Sequence, residues 1–447
     1  MHVQVSLKIE RAASASLSEM EQQIQEAGQA AMREAMKQSI RHWEDQQQAC
    51  PSCGQQQRRL EGTVRRTMAT VFGRVHTQRR RFRCQGCGRR WCPANTLFAE
   101  LQGGTISAPL REAAILAGCS WPYRVASSLL KRLSGAHISP EEMRLLTNAH
   151  GKQRASEQQE EAERVCASAA KEGAPAERGE SSLLVGLDGG WVCSREQRGG
   201  MEGKVAVVCS QMQDLPMRTY STTFSWRERG VPRYPPRQRH RLVKRRYVAT
   251  FGPSRQLGQQ AKAAALHLDA ESTRPVVVIA DGAAWIKKAQ GQHFPHATCI
   301  LDWAHLWREM RHAIRVAARA KALPEHERDL QLYFHRTCLW LGNVEQALDG
   351  LRRLSVDLPA ESLTPVKEAI RYLEHQRSWI GSYHAWRKQG YPVGSGMIER
   401  AVAIVINRRM KKRGMRWCRP NATAIVALRA DLLKDDWESP QRVRAFP

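Results

Sequence analysis

The stretch Leu183-Leu184-Val185-Gly186-Leu187-Asp188-Gly189-Gly190 places an aspartate and two glycines directly after an apolar run. A second apolar run, Val276-Val277-Val278-Ile279-Ala280, ends in the same way at Asp281-Gly282. Short apolar runs bounded by glycine turns are typical of strands that are buried on both faces. The sequence therefore predicts two core strands, each with an aspartate at its carboxyl end.

Further segments between these two runs complete a fold prediction. Strand-like segments lie at Val205–Cys209 and Tyr247–Phe251, and a helical pattern covers Gln256–Leu268. This order of elements predicts an α/β fold with an RNase H-like mixed sheet. The first and fourth strands are neighbours in that fold, so Asp188 and Asp281 are expected side by side.

A third acid, Glu399, follows the turn sequence Gly394-Ser395-Gly396. The residues 3, 4, 7 and 11 positions after Glu399 predict the apolar face of a helix: Val402, Ala403, Ile406 and Met410. An acid on such a face is costly unless it is paired, which favours a metal ligand. The alternative is a simple first-turn acid that the helix dipole stabilises by about 0.3–1 kcal/mol.

Asp188, Asp281 and Glu399 together predict phosphodiester chemistry. A two-metal mechanism needs oxygen ligands that hold two divalent ions about 4 Å apart. Hard oxygen ligands favour Mg²⁺ or Mn²⁺ over Zn²⁺. Asp302 and His305 lie near the predicted active edge, where His305 orients substrate or the pair fixes the start of the following helices. They are too few to predict a zinc site of their own.

The composition indicates a polyanionic partner. The 447 residues contain 70 Lys and Arg against 43 Asp and Glu, a formal net charge of +27. Such an excess favours nucleic acid as the partner, although a generally basic protein would show it too. The amino terminus lacks a secretory pattern and no apolar run approaches about 18 residues, so we expect a cytoplasmic, nucleoid-associated protein.

Two basic segments are the predicted DNA contacts. The first follows Glu399 and combines phosphate-binding cations with an indole that could stack on an unpaired base: Arg408, Arg409, Lys411, Lys412, Arg413, Arg416 and Trp417. The second is the stretch from Trp226 to Arg246, predicted to be a loop that clamps nucleic acid through Arg237, Arg239, Arg241, Lys244, Arg245 and Arg246. The alternative for both segments is a solvated basic surface.

Four cysteines form two C-x-x-C pairs, Cys50 with Cys53 and Cys84 with Cys87, separated by thirty residues. Each pair lies in a turn that contains Pro or Gly and can present two thiolates to one ion. The spacing predicts a zinc ribbon with one structural Zn²⁺, and redox or coincidental pairs are the alternative. Cys92 is a possible competing ligand, but it has no partner at this spacing.

The remaining patterns divide the chain into segments. Residues 101–155 predict three short helices that weakly resemble a helix-turn-helix, or else a plain connector. Residues Lys152 to Gly179 predict a charged helix that runs into a flexible linker. The predicted order is a helical lead-in at 1–48, the zinc ribbon at 49–100, the helical module at 101–155, a linker at 156–181, a catalytic domain at 182–301, an all-helical insertion at 302–390 and the final catalytic helices at 391–447.

The motifs together resemble the ISKra-type family of insertion-sequence DDE transposases, with a looser likeness to Mutator-like transposases. The resemblance depends on Arg81-Phe82-Arg83-Cys84-x-x-Cys87, Leu187-Asp188-Gly189-Gly190, Ala280-Asp281-Gly282-Ala283-x-Trp285, Leu301-Asp302-x-x-His305 and the long stretch Tyr391–Trp417. It covers most of the chain from about residue 50. Arg400, Val402 and the basic stretch at 226–246 depart from the family pattern.

The resemblance implies that Asp188, Asp281 and Glu399 are the catalytic triad. It also implies that the substrate is the terminal inverted repeats of a mobile element, and that the helical insertion lies within the catalytic domain. We therefore expect a transposase that cuts double-stranded DNA at element ends and joins it to target DNA, as a homodimer or larger assembly. The alternatives are a non-catalytic DNA-binding regulator and an RNase H-like nuclease.

Overall fold

The computed structural model describes residues 16–101, 103–169, 182–215, 239–269 and 274–434. The chain divides into two compact units, Met1–His150 with Trp437–Pro447, and Gly151–Asp436. The first unit combines a three-stranded sheet with helices, and the second combines a five-stranded sheet with helices. Each unit has its own buried apolar cluster. Among the described residues, no helix combines the length and apolar character needed to cross a membrane.

The first unit begins with a helix that packs on an antiparallel sheet. Its elements are α1 (Leu17–Gln46), β1 (Arg58–Thr70), β2 (Gly73–Cys84), β3 (Arg90–Trp91) and α2 (Asn95–Ala99). Strand β2 pairs with both β1 and β3. Glu44 of α1 is fully buried and accepts hydrogen bonds from the backbone and the guanidinium of Arg80 at 3.1 and 3.0 Å. The predicted lead-in helix is therefore an integral part of this unit.

Three further helices follow in the predicted order: α3 (Ala108–Ser120), α4 (Tyr123–Ser134) and α5 (Pro140–Ala169). Ser107 caps α3, and Gly135 ends α4 in the left-handed conformation at φ 71°. Helix α5 continues to Ala169, so the charged helix expected from Lys152 is present and residues 156–169 of the predicted linker are helical. The reason is lateral support, because Gln158 and Cys166 donate to backbone carbonyls of Ala427 and Gln259 within the second unit. Residues 170–181 lie outside the described part.

The second unit contains a five-stranded mixed sheet in the order β6-β5-β4-β7-β8. The strands are β4 (Leu183–Cys193), β5 (Gly200–Leu215), β6 (Arg239–Thr250), β7 (Val276–Ala280) and β8 (Thr298–Leu301). Strands β4, β5 and β6 are antiparallel, whereas β7 is parallel to both β4 and β8. The predicted neighbours, β4 and β7, do lie side by side. The helices that cross over to the parallel strands are α6 (Ser254–Leu268) and α7 (Ala284–His293).

The predicted helical insertion is confirmed as a run of helices after β8. It consists of α8 (Trp303–Ala320), α9 (Glu325–Leu341), α10 (Val344–Ser355), α11 (Ala360–Gln376), a 3-10 turn (Arg377–Trp379) and α12 (Tyr383–Lys388). Its apolar residues share one buried cluster with β4, β7 and β8. Tyr383 is fully buried, and its hydroxyl donates to the carbonyl of Leu301 at 2.9 Å. The insertion is therefore anchored to the sheet at β8.

The last elements are α13 (Gly396–Val402), a π-helical turn (Ala403–Asn407), α14 (Arg408–Met410) and α15 (Arg419–Leu432). The predicted helix after Glu399 is present, but the π-helical turn interrupts its regular 3.6-residue period. Arg429 of α15 is buried and donates from Nε to the carbonyls of Ile404 and Val405 at 3.1 and 2.8 Å. These bonds satisfy carbonyls of the wider turn.

Candidate active site

Three aspartates lie at the same level on three adjacent parallel strands. The register pairs Gly186 of β4 with Ile279 of β7, so continuing it by two residues sets Asp188 beside Asp281. The register of β7 with β8 pairs Ala280 with Leu301, so the next pair is Asp281 with Asp302. The backbone N–H of Asp302 donates to the carbonyl of Ala280 at 2.8 Å, which extends the ladder. The middle of β4 and the carboxyl ends of β7 and β8 thus form an acidic edge. The prediction that Asp188 ends its strand is wrong, because pairing with β5 continues β4 to Cys193.

Two glycines flank Asp188 on the face of β4 that meets α13. A Cβ atom on Gly186 would lie 2.9 Å from Cβ of Ile398, and one on Gly190 would lie 2.9 Å from Cγ1 of Val402. Both distances are shorter than real Cβ atoms tolerate. Gly186, Asp188 and Gly190 share one face because side chains alternate along a strand. The glycines therefore allow α13, which carries Glu399, to pack closely on either side of Asp188.

One carboxylate oxygen of Asp188 and one of Asp281 each accept a hydrogen bond from a backbone N–H one or two residues later. The backbone N–H of Gly189 donates to Oδ1 of Asp188 at 2.7 Å, and that of Ala283 donates to Oδ1 of Asp281 at 3.0 Å. The pKa of Asp188 is raised to about 6, mainly by burial and also by the negative charges of Asp281 and Glu399, against the lowering effects of the Gly189 N–H and His305. The three predicted catalytic acids are thus close enough to influence one another, as acids that share a cation do.

Asp302 is fully buried and connects two segments. Its Oδ1 accepts a hydrogen bond from the backbone N–H of Ser395 at 2.9 Å, and its Oδ2 accepts from the backbone N–H and Nδ1 of His305, the former at 2.9 Å. Burial pushes the pKa of Asp302 upward, but the bonds with His305 and Ser395 outweigh it and leave the pKa below its ordinary value. The same bond raises the pKa of His305. Asp302 therefore fixes the start of α8, one of the two roles that the sequence left open.

Glu399 lies in the first turn of α13 and is exposed. The hydroxyl of Ser395 donates to its Oε1 at 2.8 Å. The sequence argument that Glu399 lies on the buried face is therefore wrong. Val402, Ile406 and Met410 are buried, as predicted. Within α13 the buried face consists of Ile398, Ala401 and Val402 at ordinary helical spacing, and Glu399 lies beside that face. The first-turn position is correct, and the exposed carboxylate remains accessible to a cation.

Glu399, His305 and Asp302 form a tight group. One ligand atom of each lies within 4.8 Å of the other two. Within the described part of the chain, the other group at this spacing is the cysteine cluster, and neither group contains Asp188 or Asp281. The structure therefore brings Glu399 closest to the pair that the sequence treated as accessory.

A cleft of about 360 Å³ opens beside Asp281, between α8 and α11. It is lined by Asp281, His305, Arg308, Glu309, His312, Pro365, Glu368, Ala369 and Tyr372. Burial raises the pKa of the Tyr372 hydroxyl well above its ordinary value, so it stays a neutral hydrogen-bond donor. Sequence reasoning missed the residues beyond His305. The signal was present, since positions 305, 308, 309 and 312 recur at helical spacing on one face of α8.

The four predicted zinc ligands are together. Sγ of Cys50 lies 3.7 Å from Sγ of Cys87, and Sγ of Cys53 lies 3.6 Å from Sγ of Cys84. A tetrahedral ion with Zn–S bonds of about 2.3 Å requires sulfur atoms about 3.8 Å apart, whereas a disulfide requires about 2 Å. The cluster can therefore hold a metal ion such as zinc and is compatible with a zinc ribbon. Cys92 is not a member of the group.

The two cysteine turns have matching geometry. Gly54 donates to the carbonyl of Cys50 at 2.9 Å and Gly88 to that of Cys84 at 3.1 Å, both glycines with φ just above 70°. Only glycine adopts this conformation without strain. Backbone N–H groups, that of Ser52 above all, lower the pKa of Cys50 to about 6, and the Cys87 N–H lowers that of Cys84. Against the lowering effect of the Gln55 N–H, the neighbouring cysteines instead raise the pKa of Cys53 to about 12. The turns thus favour the thiolate, the metal-binding form, at Cys50 and Cys84.

The basic segment after Glu399 divides into exposed and buried residues. Five of its predicted DNA contacts are exposed: Arg408, Lys411, Lys412, Arg413 and Arg416. Arg409 and Trp417 are only 1% and 8% exposed, and the guanidinium lies 5.2 Å from the indole ring. The indole Nε1 donates to the carbonyl of Met410 at 3.2 Å. We therefore remove Arg409 and Trp417 from the predicted DNA contacts, because neither side chain is accessible to a phosphate or a base.

The second basic segment is partly a strand. Arg239, Arg241, Lys244, Arg245 and Arg246 lie in β6, so the prediction of a loop is wrong for this half. Pairing with β5 explains the difference, because Leu215 pairs with Arg239 and the ladder continues to Thr250. Lys244 is exposed, whereas Arg245 and Arg246 are half-buried. Residues 216–238, including Arg237, lie outside the described part, as do the side chains of Arg239 and Arg241.

No protein-family model matches this chain, and no curated protein matches it either.

Proposed function

We propose that the protein is a DDE transposase that cuts DNA at the ends of an insertion sequence and transfers the strand to target DNA. The observation that carries the proposal is the acidic edge, where Asp188 within β4 and Asp281 at the end of the neighbouring parallel strand β7 lie beneath the helix of Glu399. The sheet order, three antiparallel strands followed by two parallel ones, supports an RNase H-like fold. Mg²⁺ or Mn²⁺ bound there would activate the attacking oxygen and stabilise the leaving oxygen.

The residues present fit two such ions. Asp188 and Asp281 keep Oδ1 bonded to the backbone, so each carboxylate is held in place while its Oδ2 remains available for a cation. Ser395 orients Glu399 in the same way through Oε1. Burial is the main cause of the raised pKa of Asp188, and the nearby negative charges of Asp281 and Glu399 add to it; a bound cation would offset both effects. Hard oxygen donors of this kind suit Mg²⁺ and Mn²⁺.

The proposed substrate is double-stranded DNA, namely element ends and target. The exposed cations that follow α13 lie on the same segment as Glu399, so a phosphate backbone held there would be held near the acids. The zinc ribbon and the three-helix module of the first unit are the proposed means of recognising element ends. We further propose assembly as a homodimer or larger complex on DNA in the bacterial nucleoid.

The test is strand cleavage by the purified full-length protein. Duplex DNA from either side of the reading frame serves as substrate, with Mg²⁺ or Mn²⁺. We expect cleavage near inverted repeats and its loss in Asp188→Asn, Asp281→Asn and Glu399→Gln. Asp349→Asn is the matched control, because Asp349 is an exposed acid of α10 that pairs with Arg352. Full activity in any of the three acid variants would refute the metal assignment.

Two other outcomes would identify the alternatives. Binding to DNA without cleavage under any divalent ion would indicate a regulator. Preferential cleavage of an RNA–DNA hybrid would indicate an RNase H-like nuclease.

A further inference from the structure

We infer that one of the two divalent ions is bound by a ring nitrogen as well as by carboxylates, with His305 Nε2 as a direct ligand beside Glu399. The inference depends on the proposed function and adds to it a mixed nitrogen and oxygen site. In this arrangement Asp302 is not a direct ligand of the ion, and its role is to orient His305.

The first step is proximity. Glu399 and His305 offer ligand atoms within 4.8 Å of each other, although they belong to different elements that are 94 positions apart in the chain. Two ligands of one ion with bonds of about 2.1 Å lie about 3–4 Å apart, so rotation of the exposed Glu399 side chain has to bring its carboxylate to Nε2 of His305. His305 also lines the cleft that Asp281 lines, so an ion can enter from solvent.

The second step is the state of Asp302. This carboxylate is fully buried, and its two oxygens already accept three hydrogen bonds, from Ser395 and twice from His305. If Asp302 bound a cation directly, its carboxylate would lose these hydrogen bonds. Its role is therefore to hold the imidazole.

The third step is the orientation of the ring. Nδ1 of His305 is engaged by Asp302, which leaves Nε2 as the nitrogen with a free lone pair when Nδ1 carries the proton. A histidine that binds a metal through one nitrogen typically donates the other N–H to a carboxylate. Asp302 and His305 have this arrangement. Ser395 completes it, because it bonds Asp302 through its backbone N–H and Glu399 through its hydroxyl.

An imidazole ligand changes the preferred ion. Oxygen-only sites suit Mg²⁺, whereas imidazole nitrogen suits transition metals. We therefore expect Mn²⁺ to bind more tightly than Mg²⁺, and the preference to decrease about tenfold in His305→Ala. Loss of the orienting carboxylate in Asp302→Asn is expected to weaken Mn²⁺ binding about 10-fold or more.

The experiment is electron paramagnetic resonance on Mn²⁺ bound to the full-length protein, after the cysteine cluster has been loaded with Zn²⁺. We expect a hyperfine coupling from ¹⁴N that changes to the ¹⁵N pattern when histidine is labelled with ¹⁵N. The coupling should be lost in His305→Ala and in His305→Gln, which keeps a polar side chain of similar reach. His312→Ala is the matched control, because His312 lines the same cleft two turns further along α8.

The outcomes separate the two proposals. Mn²⁺ binding that depends on Glu399 but shows no nitrogen coupling would overturn the inference and leave the two-metal proposal intact. Nitrogen coupling that persists in both His305 variants would also overturn it. Failure of Mn²⁺ to bind at a site that depends on Asp188, Asp281 or Glu399 would refute the metal chemistry of the proposed function and the inference together.

Discussion

The backbone N–H of Ser395 donates a hydrogen bond of 2.9 Å to Oδ1 of the fully buried Asp302. A second bond runs beside it, from the backbone N–H of Trp303 to the carbonyl of Val393 at 3.0 Å. These two contacts join the beginning and the end of the helical insertion. Glu399 therefore reaches the acidic edge through a short, fixed connection. Along the chain, the 117 residues 282–398 separate it from Asp281.

We predict that Asp302→Asn lowers both stability and strand cleavage. The amide keeps the size of the carboxylate but loses the charge that holds His305 and Ser395, and a disrupted buried bond costs about 1–3 kcal/mol. Urea denaturation and the cleavage assay measure the two effects. Asp349→Asn is the control for removing an exposed acid of the same insertion. Unchanged cleavage in Asp302→Asn would contradict the connecting role of Asp302.

We predict that Gly186→Ala and Gly190→Ala displace α13. Each new methyl group would overlap Ile398 or Val402 at 2.9 Å, and overpacking of this kind costs about 1–3 kcal/mol. Cleavage should fall further than stability alone explains, because Glu399 moves with the helix. Gly291→Ala is the matched control, since a Cβ there meets nothing within 4 Å and helix α7 should gain about 0.5 kcal/mol. Equal behaviour of the three variants would exclude close packing as the reason for the glycines.

We predict one Zn²⁺ per chain, measured by metal analysis of the purified protein. Cys84→Ser should release it, because Cys84 is buried within the four-sulfur cluster and oxygen replaces a soft ligand. Thermal unfolding of the first unit should shift to lower temperature, and chelators should have the same effect on the unchanged protein. Cys92→Ser is the control and should retain the ion. Loss of zinc in Cys92→Ser would place that thiol in the site.

We predict that acid weakens the second unit through His335. Its imidazole is fully buried, and burial lowers its pKa below the ordinary value of 6.5. The unfolded chain therefore binds a proton that the folded chain excludes, so the free energy of unfolding falls as the pH drops below about 6.5. Denaturation curves between pH 7.5 and 5 measure the slope, which should be smaller in His335→Gln. An unchanged slope would show that other groups cause the acid sensitivity.

We predict that the exposed cations after α13 contact DNA phosphates. Arg408→Gln, Lys411→Gln and Lys412→Gln should weaken binding to all sequences alike, and each should reduce the salt dependence of log K by about 0.9. Lys367→Gln is the control, because Lys367 is an exposed cation on α11. Fluorescence anisotropy at several salt concentrations gives the slopes. If the slopes match that of Lys367→Gln, these cations do not contact DNA phosphates and are simply solvated.

The elements that sequence predicted best depend on local chemistry. Strands β4 and β7 and the helices after Asp302 followed from strong apolar patterns and from glycine turns, whereas the neighbouring positions of the two strands followed from the expected fold. The cysteine cluster followed from ligand spacing, since two C-x-x-C turns leave few other arrangements for the thiols. Each of these signals is contained within a few consecutive residues.

The features that sequence missed depend on long-range packing. Strand β8 has only four residues and its first one is exposed, so its apolar pattern is too short to indicate a strand. The burial of Arg409 depends on Trp417, which comes from beyond a turn. The π-helical turn is held by Arg429, more than twenty residues later, so a regular helical period could not predict it.

The inward orientation of Arg409 has a mechanical consequence for the segment that contains it. Because its side chain is packed against Trp417 inside the protein, Arg409 anchors the segment from which the neighbouring exposed cations extend. A phosphate backbone gripped by these cations would be kept at a constant span from the acids. The distance between these cations and the acids would then determine which phosphodiester bond of the DNA strand lies at the acids for cleavage.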